Sequence, residues 1–161
     1  MNRYAVAAAD PFVHALLSAA VAAPLGREPM RTAVVAGTLI DVDHIVAARS
    51  ARPRAMLSLE TRPRSHTLLG AAALGAACAA AGGPAHGWAA FAGLAAHLLR
   101  DASDDAAPTP LLWPWRPPRQ VDRRVAAAGV AVLALGSWVI SGRARGGSGP
   151  TSSGAAGGGG A

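Results

Sequence analysis

Between His66 and Arg100 the sequence contains no Asp, Glu, Lys or Arg, and Ala dominates what remains. Runs such as 71–81 combine high helix propensity with few β-branched residues, so helices are expected and strands are not. A helix on the surface of a water-soluble bundle sets an apolar stripe against a charged face. These segments are apolar around their whole circumference, so each must either touch lipid or be buried on every side. Their Ala and Gly residues would let helix backbones approach closely, as membrane helices do.

Five apolar segments can be marked, at roughly 12–24, 32–48, 66–82, 86–100 and 124–141, and their ends read as helix ends. Asp10 before Pro11 reads as an N-cap with Pro in the first turn, Pro24 closes the first segment, Gly82-Gly83-Pro84 divides the third from the fourth, and Asp122 can cap the fifth. Ser65 reads as the cap of a helix opened by His66. The expected fold is all-α: a small Ala-rich, membrane-associated bundle of about four to five helices over residues 1–141. A Gly/Ser-rich tail at 142–161 has little to bury and is expected to be disordered. Asp10, Pro11 and His14 interrupt the first apolar stretch, so it does not read as a cleavable signal peptide. Cys78 stands alone in an Ala run, which excludes a disulfide framework, and it reads as a small buried residue.

A net charge of +6 invites a nucleic-acid reading. The distribution argues against that partner, because the arginines sit in short connections and no aromatic residues alternate with them as a stacking platform requires. With five helices alternating in direction, one end of the bundle collects Arg3, Arg49, Arg52, Arg54, Arg62, Arg64, Arg100, Arg116, Arg119, Arg123 and Arg124. The other end holds only Arg27, Arg31, Arg143 and Arg145. The positive-inside rule then predicts a multi-pass membrane protein, with the Arg-rich end in the cytoplasm and the bilayer as partner. Trp113 and Trp115 fall at that end and Trp88 and Trp138 at the other, as two interfacial belts would place them. The segments fall short of the ~20 apolar residues of a full span, which allows for tilt or partial insertion.

The same alternation brings His14, Asp41, Asp43, His44, His66, His97 and Asp101 to the Arg-rich end. His97 and Asp101 are four apart and Asp41 and His44 three apart, so each pair shares a helical face. Imidazole and carboxylate together suit a divalent cation, zinc first, with manganese or iron as alternatives. Ionisable groups in a membrane helix are costly unless paired or bound to an ion. Asp41, His44, His66, His97 and Asp101 are therefore the candidate metal ligands, whereas His14, a lone His on an apolar face, taken by itself reads as structural. Asp43 would point away from Asp41 and His44, and is placed as a base or as a support behind the ligands. Arg62 and Arg64 are candidates for holding a substrate phosphate. Asp104 and Asp105 read as solvated loop carboxylates, and His86, at the opposite end, is left out of the site.

The stretches Gly-Thr-Leu-Ile-Asp-Val-Asp-His (37 to 44), Arg-Pro-Arg-Ser-His-Thr-Leu-Leu (62 to 69), His-Leu-Leu-Arg-Asp (97 to 101) and Pro-Leu-Leu-Trp-Pro-Trp (110 to 115) carry a resemblance. In that order they resemble the bacterial family of membrane-bound metal-dependent hydrolases, also described as LexA-binding inner-membrane-associated hydrolases, which implies the bacterial inner membrane; His14 matches that family's N-terminal His, and the resemblance thereby adds it to the candidate metal ligands. The resemblance covers roughly residues 10–118. The family in turn is similar to the zinc-dependent phospholipase C and P1-nuclease helical fold. That implies hydrolysis of a phosphoester, in a small-molecule or lipid-like substrate, by a metal-activated water. The chain lacks a later His-x-x-x-Glu pair of the kind those zinc enzymes use, and residues 102–108 depart from the family's turn after the last Asp. The alternative from another class is a non-catalytic integral membrane protein with a structural or transport-related metal site.

Overall fold

The computed structural model describes residues 3–146 except 57, 105 and 106. It is all-helical, with α1 (Arg3–Ala22), a 3-10 turn (Ala23–Leu25), α2 (Arg27–Leu39), α3 (Val42–Ala48), α4 (Pro53–Met56), α5 (Leu68–Gly82), α6 (Pro84–Ala102) and α7 (Arg123–Gly146). The described residues form no strand, only an isolated antiparallel bridge between Thr109 and Arg119.

Helix α6 is the axis of the bundle, and α1, α2, α5 and α7 all pack on it. Its small residues explain why four neighbours fit. A Cβ at Gly93 would lie 2.6 Å from the Ala33 carbonyl oxygen of α2, and one at Gly87 would lie 2.8 Å from the Gly75 carbonyl oxygen of α5. Both absences of charge seen in the sequence therefore occur, but for different reasons. Residues 92–98 of α6 are buried throughout, whereas α5 buries only Ala71 and Gly75 and turns the rest of its surface outward.

Several boundaries differ from expectation. The Ala-rich stretch before Asp10 is itself helical, so α1 continues through Pro11 and Asp10 is not its cap. His14 accordingly lies in mid-helix rather than in a first turn. The expected helix at 32–48 breaks into α2 and α3. Thr38 Oγ1 donates to the Val34 carbonyl at 2.7 Å, and the Asp41 N–H turns to the Thr38 carbonyl at 3.4 Å, three residues back instead of four. Thr67, not Ser65, caps α5, its hydroxyl accepting from the Gly70 N–H at 2.9 Å. Asp122 does cap α7, accepting from the Arg124 N–H at 2.8 Å. The expected tail begins inside a helix, since α7 runs through 142–146, and residues 147–161 lie outside those described.

Among the described residues one helical stretch, Arg123–Ala144, is long and apolar enough to cross a membrane, with mean hydropathy 1.9 and 17% of it buried. Residues 10–25 and 68–82 form shorter apolar helices. Trp88 is half-buried between α6 and α7, its Nε1 donating to Ser137 Oγ at 2.9 Å. Cys78 is half-exposed rather than buried, on the wall of an apolar groove with Val35, Leu39, Leu74 and His86.

Candidate metal centre

Packing in α6 fixes the level of the site. Helix α1 runs antiparallel to α6, so that Ser18 Oγ donates to the Gly93 carbonyl at 3.2 Å and, one turn on, the His14 and His97 rings meet with centroids 3.8 Å apart. Helix α2 brings Gly37 to the same level. Its carbonyl, which a continuous helix would give to the Asp41 N–H, instead accepts from His97 Nδ1 at 2.6 Å. The break between α2 and α3 thus frees an acceptor for His97 and lets Asp41 turn inward.

The loop before α5 supplies His66. It is held by backbone bonds from Arg62 N to the Pro108 carbonyl at 3.2 Å and from Leu68 N to the Leu111 carbonyl at 2.9 Å. Residues 103, 104 and 107–122 therefore act as a strap over the site. Asp104 belongs to that strap and is not simply solvated: it accepts from Arg62 Nη2 at 2.9 Å and from Arg100 Nη1 at 3.2 Å. Asp105 lies outside the described residues.

Three histidines share one arrangement. His14 Nδ1 donates to Asp41 Oδ2 at 3.4 Å, His66 Nδ1 to Asp43 Oδ2 at 3.1 Å, and His97 Nδ1 to the Gly37 carbonyl. Each acceptor fixes the proton on Nδ1 and leaves Nε2 as the inward atom. All three Nε2 atoms are buried without a hydrogen-bond partner, as are both carboxylate oxygens of Asp101. Buried polar atoms are rarely left so, because desolvation without a bond costs about 1–3 kcal/mol each.

The orphaned atoms face one another. His97 Nε2 lies 3.2 Å from Asp101 Oδ2 and 3.5 Å from Asp41 Oδ1, while His66 Nε2 lies 3.6 Å and 3.8 Å from the same two oxygens. Ligands about 2.0–2.1 Å from a tetrahedral ion stand about 3.3 Å apart along each edge, so these separations approach those of a four-ligand zinc shell. The donor set fits a divalent cation. Asp43 stands behind His66, and it also accepts from Ser65 Oγ and lies 3.1 Å from His44 Nδ1. Burial opposes charge on Asp41, but the proximity of His14, His66 and His97 holds its carboxyl well below the usual range. Burial likewise opposes charge on His66, and the neighbouring Asp41 and Asp43 outweigh it and raise its pKa.

The structure thus brings His14, Asp41, Asp43, His44, His66, His97 and Asp101 into one cluster, with Asp41, Asp43 and His44 on its partly open side. Arg62 joins it from inside, its Nη1 lying 3.2 Å from Asp101 Oδ2 but out of line for a hydrogen bond. Arg64 stands apart, its guanidinium 5.6 Å above the Trp113 ring. Asp10 was missed. It sits four residues before His14, its Oδ1 3.9 Å from His14 Nε2, and that spacing mirrors the one between His97 and Asp101. The adjoining Pro11 made it read as a cap. His86 is separate, with Nδ1 2.8 Å from Thr32 Oγ1 at the far end of α6.

The family described as YdjM inner membrane protein matches residues 10–155, and the chain belongs to it. No curated protein and no solved structure matches the chain.

Proposed function

We propose that this member of the YdjM inner membrane protein family is a metal-dependent hydrolase of phosphoesters, in small or lipid-like molecules. Its cation, zinc foremost and manganese or iron otherwise, would be held by Asp41, His66, His97 and Asp101. The observation that carries the reading is the convergence of their four donor atoms, all within 4.8 Å of one another and with nitrogen-to-oxygen separations of 3.2, 3.5, 3.6 and 3.8 Å, near the ligand-to-ligand edges of a small cation's shell. When bound, the cation supplies Lewis acidity, which acidifies a water and offsets charge on the phosphoryl oxygens.

The chain's own residues do the rest. Asp43 orients His66 through its Nδ1 and, paired with His44 on the open side, takes the proton released by the attacking water. Arg62 offsets the charge of Asp101, and Arg64, whose guanidinium is stacked rather than salt-bridged to the cluster, meets the substrate phosphate. Helix α7 crosses the inner membrane, while the outward apolar faces of α1 (Phe12, Leu16) and α5 (Leu69, Leu74) lie against lipid. The Arg-rich end then faces the cytoplasm.

The test is hydrolysis of a generic phosphodiester by the full chain in detergent. Activity should vanish with a chelator, return with zinc or manganese, and be absent in His97→Ala. Hydrolysis indifferent to chelation would overturn the mechanism. The near-complete burial of His14, His66, His97 and Asp101 favours a second reading, a structural or transport-related metal site, and metal retained without any hydrolysis would support it.

A further inference from the structure

Among the buried polar atoms that the four-ligand set leaves without a partner, two lie at the Asp101 carboxylate. His14 Nε2 and Asp101 Oδ1 have no hydrogen-bond partner, although His14 is 1% and Asp101 0% exposed. They lie 3.3 Å apart, whereas the Nε2 atoms of His66 and His97 face the other oxygen of that carboxylate, Oδ2. A single ion on the Oδ2 side does not satisfy them. Asp10 Oδ1 is the third donor at this position, 3.9 Å from His14 Nε2, and one atom from each of Asp10, His14 and Asp101 lies within 4.8 Å of the others.

We propose that the centre holds two divalent cations, the second bound by Asp10, His14 and Asp101, with the Asp101 carboxylate bridging the pair through its two oxygens. This rests on the reading of Asp41, His66, His97 and Asp101 as the first position. The local structure is built for it. His14 Nδ1 is occupied by Asp41 Oδ2, a ligand of the first ion, so the ring can offer only Nε2 to the second. Arg100 Nη2 donates to Asp10 Oδ1 at 2.8 Å and fixes that carboxylate at the edge of the cluster. The Arg100 side chain is 30% exposed and Asp10 24%, so the second position opens to solvent. Three protein ligands and an open side leave room for a further oxygen ligand, such as water or a substrate phosphoryl group. Two ions about 3.5–4 Å apart are the arrangement that clamps both oxygens of an in-line phosphoryl displacement.

The experiment uses the full chain in detergent, stripped by a chelator and titrated with Mn²⁺ while bound metal and the electron paramagnetic resonance spectrum are followed. Two equivalents should bind, and the second should convert an isolated Mn²⁺ signal into an exchange-coupled one. Asp10→Asn and, separately, His14→Ala should each remove the second equivalent and the coupling while keeping the first. Asp10→Asn changes a partly exposed side chain and remains informative if loss of the buried His14 unfolds the bundle. One uncoupled equivalent in the unmodified chain would overturn the second position alone. Two coupled equivalents persisting in Asp10→Asn and in folded His14→Ala would overturn its assignment to these residues. No bound Mn²⁺ at all would remove the first position as well, and with it the proposed function.

Discussion

The two ends of α6 both turn polar side chains toward neighbouring helices, but they treat them differently. At the N-terminal end His86 has Thr32 within 2.8 Å and Trp88 donates to Ser137, each pair satisfied by a neighbouring helix. At the C-terminal end, His97 and Asp101 meet His14 and His66 with nitrogen facing carboxylate oxygen and no hydrogen bond between them. Between the ends, Ala and Gly pack against four helices and hold both in register. The contrast separates a half-buried histidine with one ring nitrogen bonded inside the chain from three buried histidines whose second ring nitrogen is shut away from solvent without a hydrogen-bond partner.

Removing the cation should widen this contrast most. If metal was present at 1,000 times its Kd, chelation should lower the stability of the full chain by about 4 kcal/mol, seen as a fall in its unfolding midpoint. Asp43→Asn should weaken metal binding by about 10–100-fold by loosening the hold on His66 Nδ1, measured by competition with a chelating dye. Metal affinity should also fall as pH drops below the raised pKa of His66, because the proton and the cation compete for its ring. An affinity flat from pH 8 to pH 5, on the order of three decades of proton concentration, would speak against His66 as a ligand. Gly93→Ala forces a Cβ within 2.6 Å of the Ala33 carbonyl oxygen and should cost about 1–3 kcal/mol of stability with or without metal. Smallest of all, His86→Ala should cost about 0.5–1.5 kcal/mol and leave metal binding unchanged, and a loss of metal there would erase the distinction between the ends.

Helix content and the common level of the clustered His and Asp residues were legible in the sequence, because Pro24, Gly83-Pro84 and Asp122 punctuate the chain where the helices end. His97 and Asp101 were legible from their spacing. What failed were local choices decided by tertiary contacts. Asp10 before Pro11 has the form of a cap, yet α1 continues through both, and its carboxylate turns to His14 and Arg100. The break at Ile40 and Asp41 follows from a Thr38 hydroxyl and from His97 taking the Gly37 carbonyl, a backbone acceptor with no sequence signature. That break also brings Asp43 beside His66, where an unbroken helix would have turned it away. The burial of α6 and exposure of α5 were indistinguishable by composition, since only position in the bundle separates two equally apolar helices.

The metal content of the purified full chain, set against that of a variant carrying His97→Ala and Asp101→Ala, bears most directly on the cluster. The unmodified protein should carry at least one equivalent of a divalent transition metal, and the variant should fall to background. Equal and negligible metal in both would contradict the reading of the C-terminal end of α6 as a metal centre.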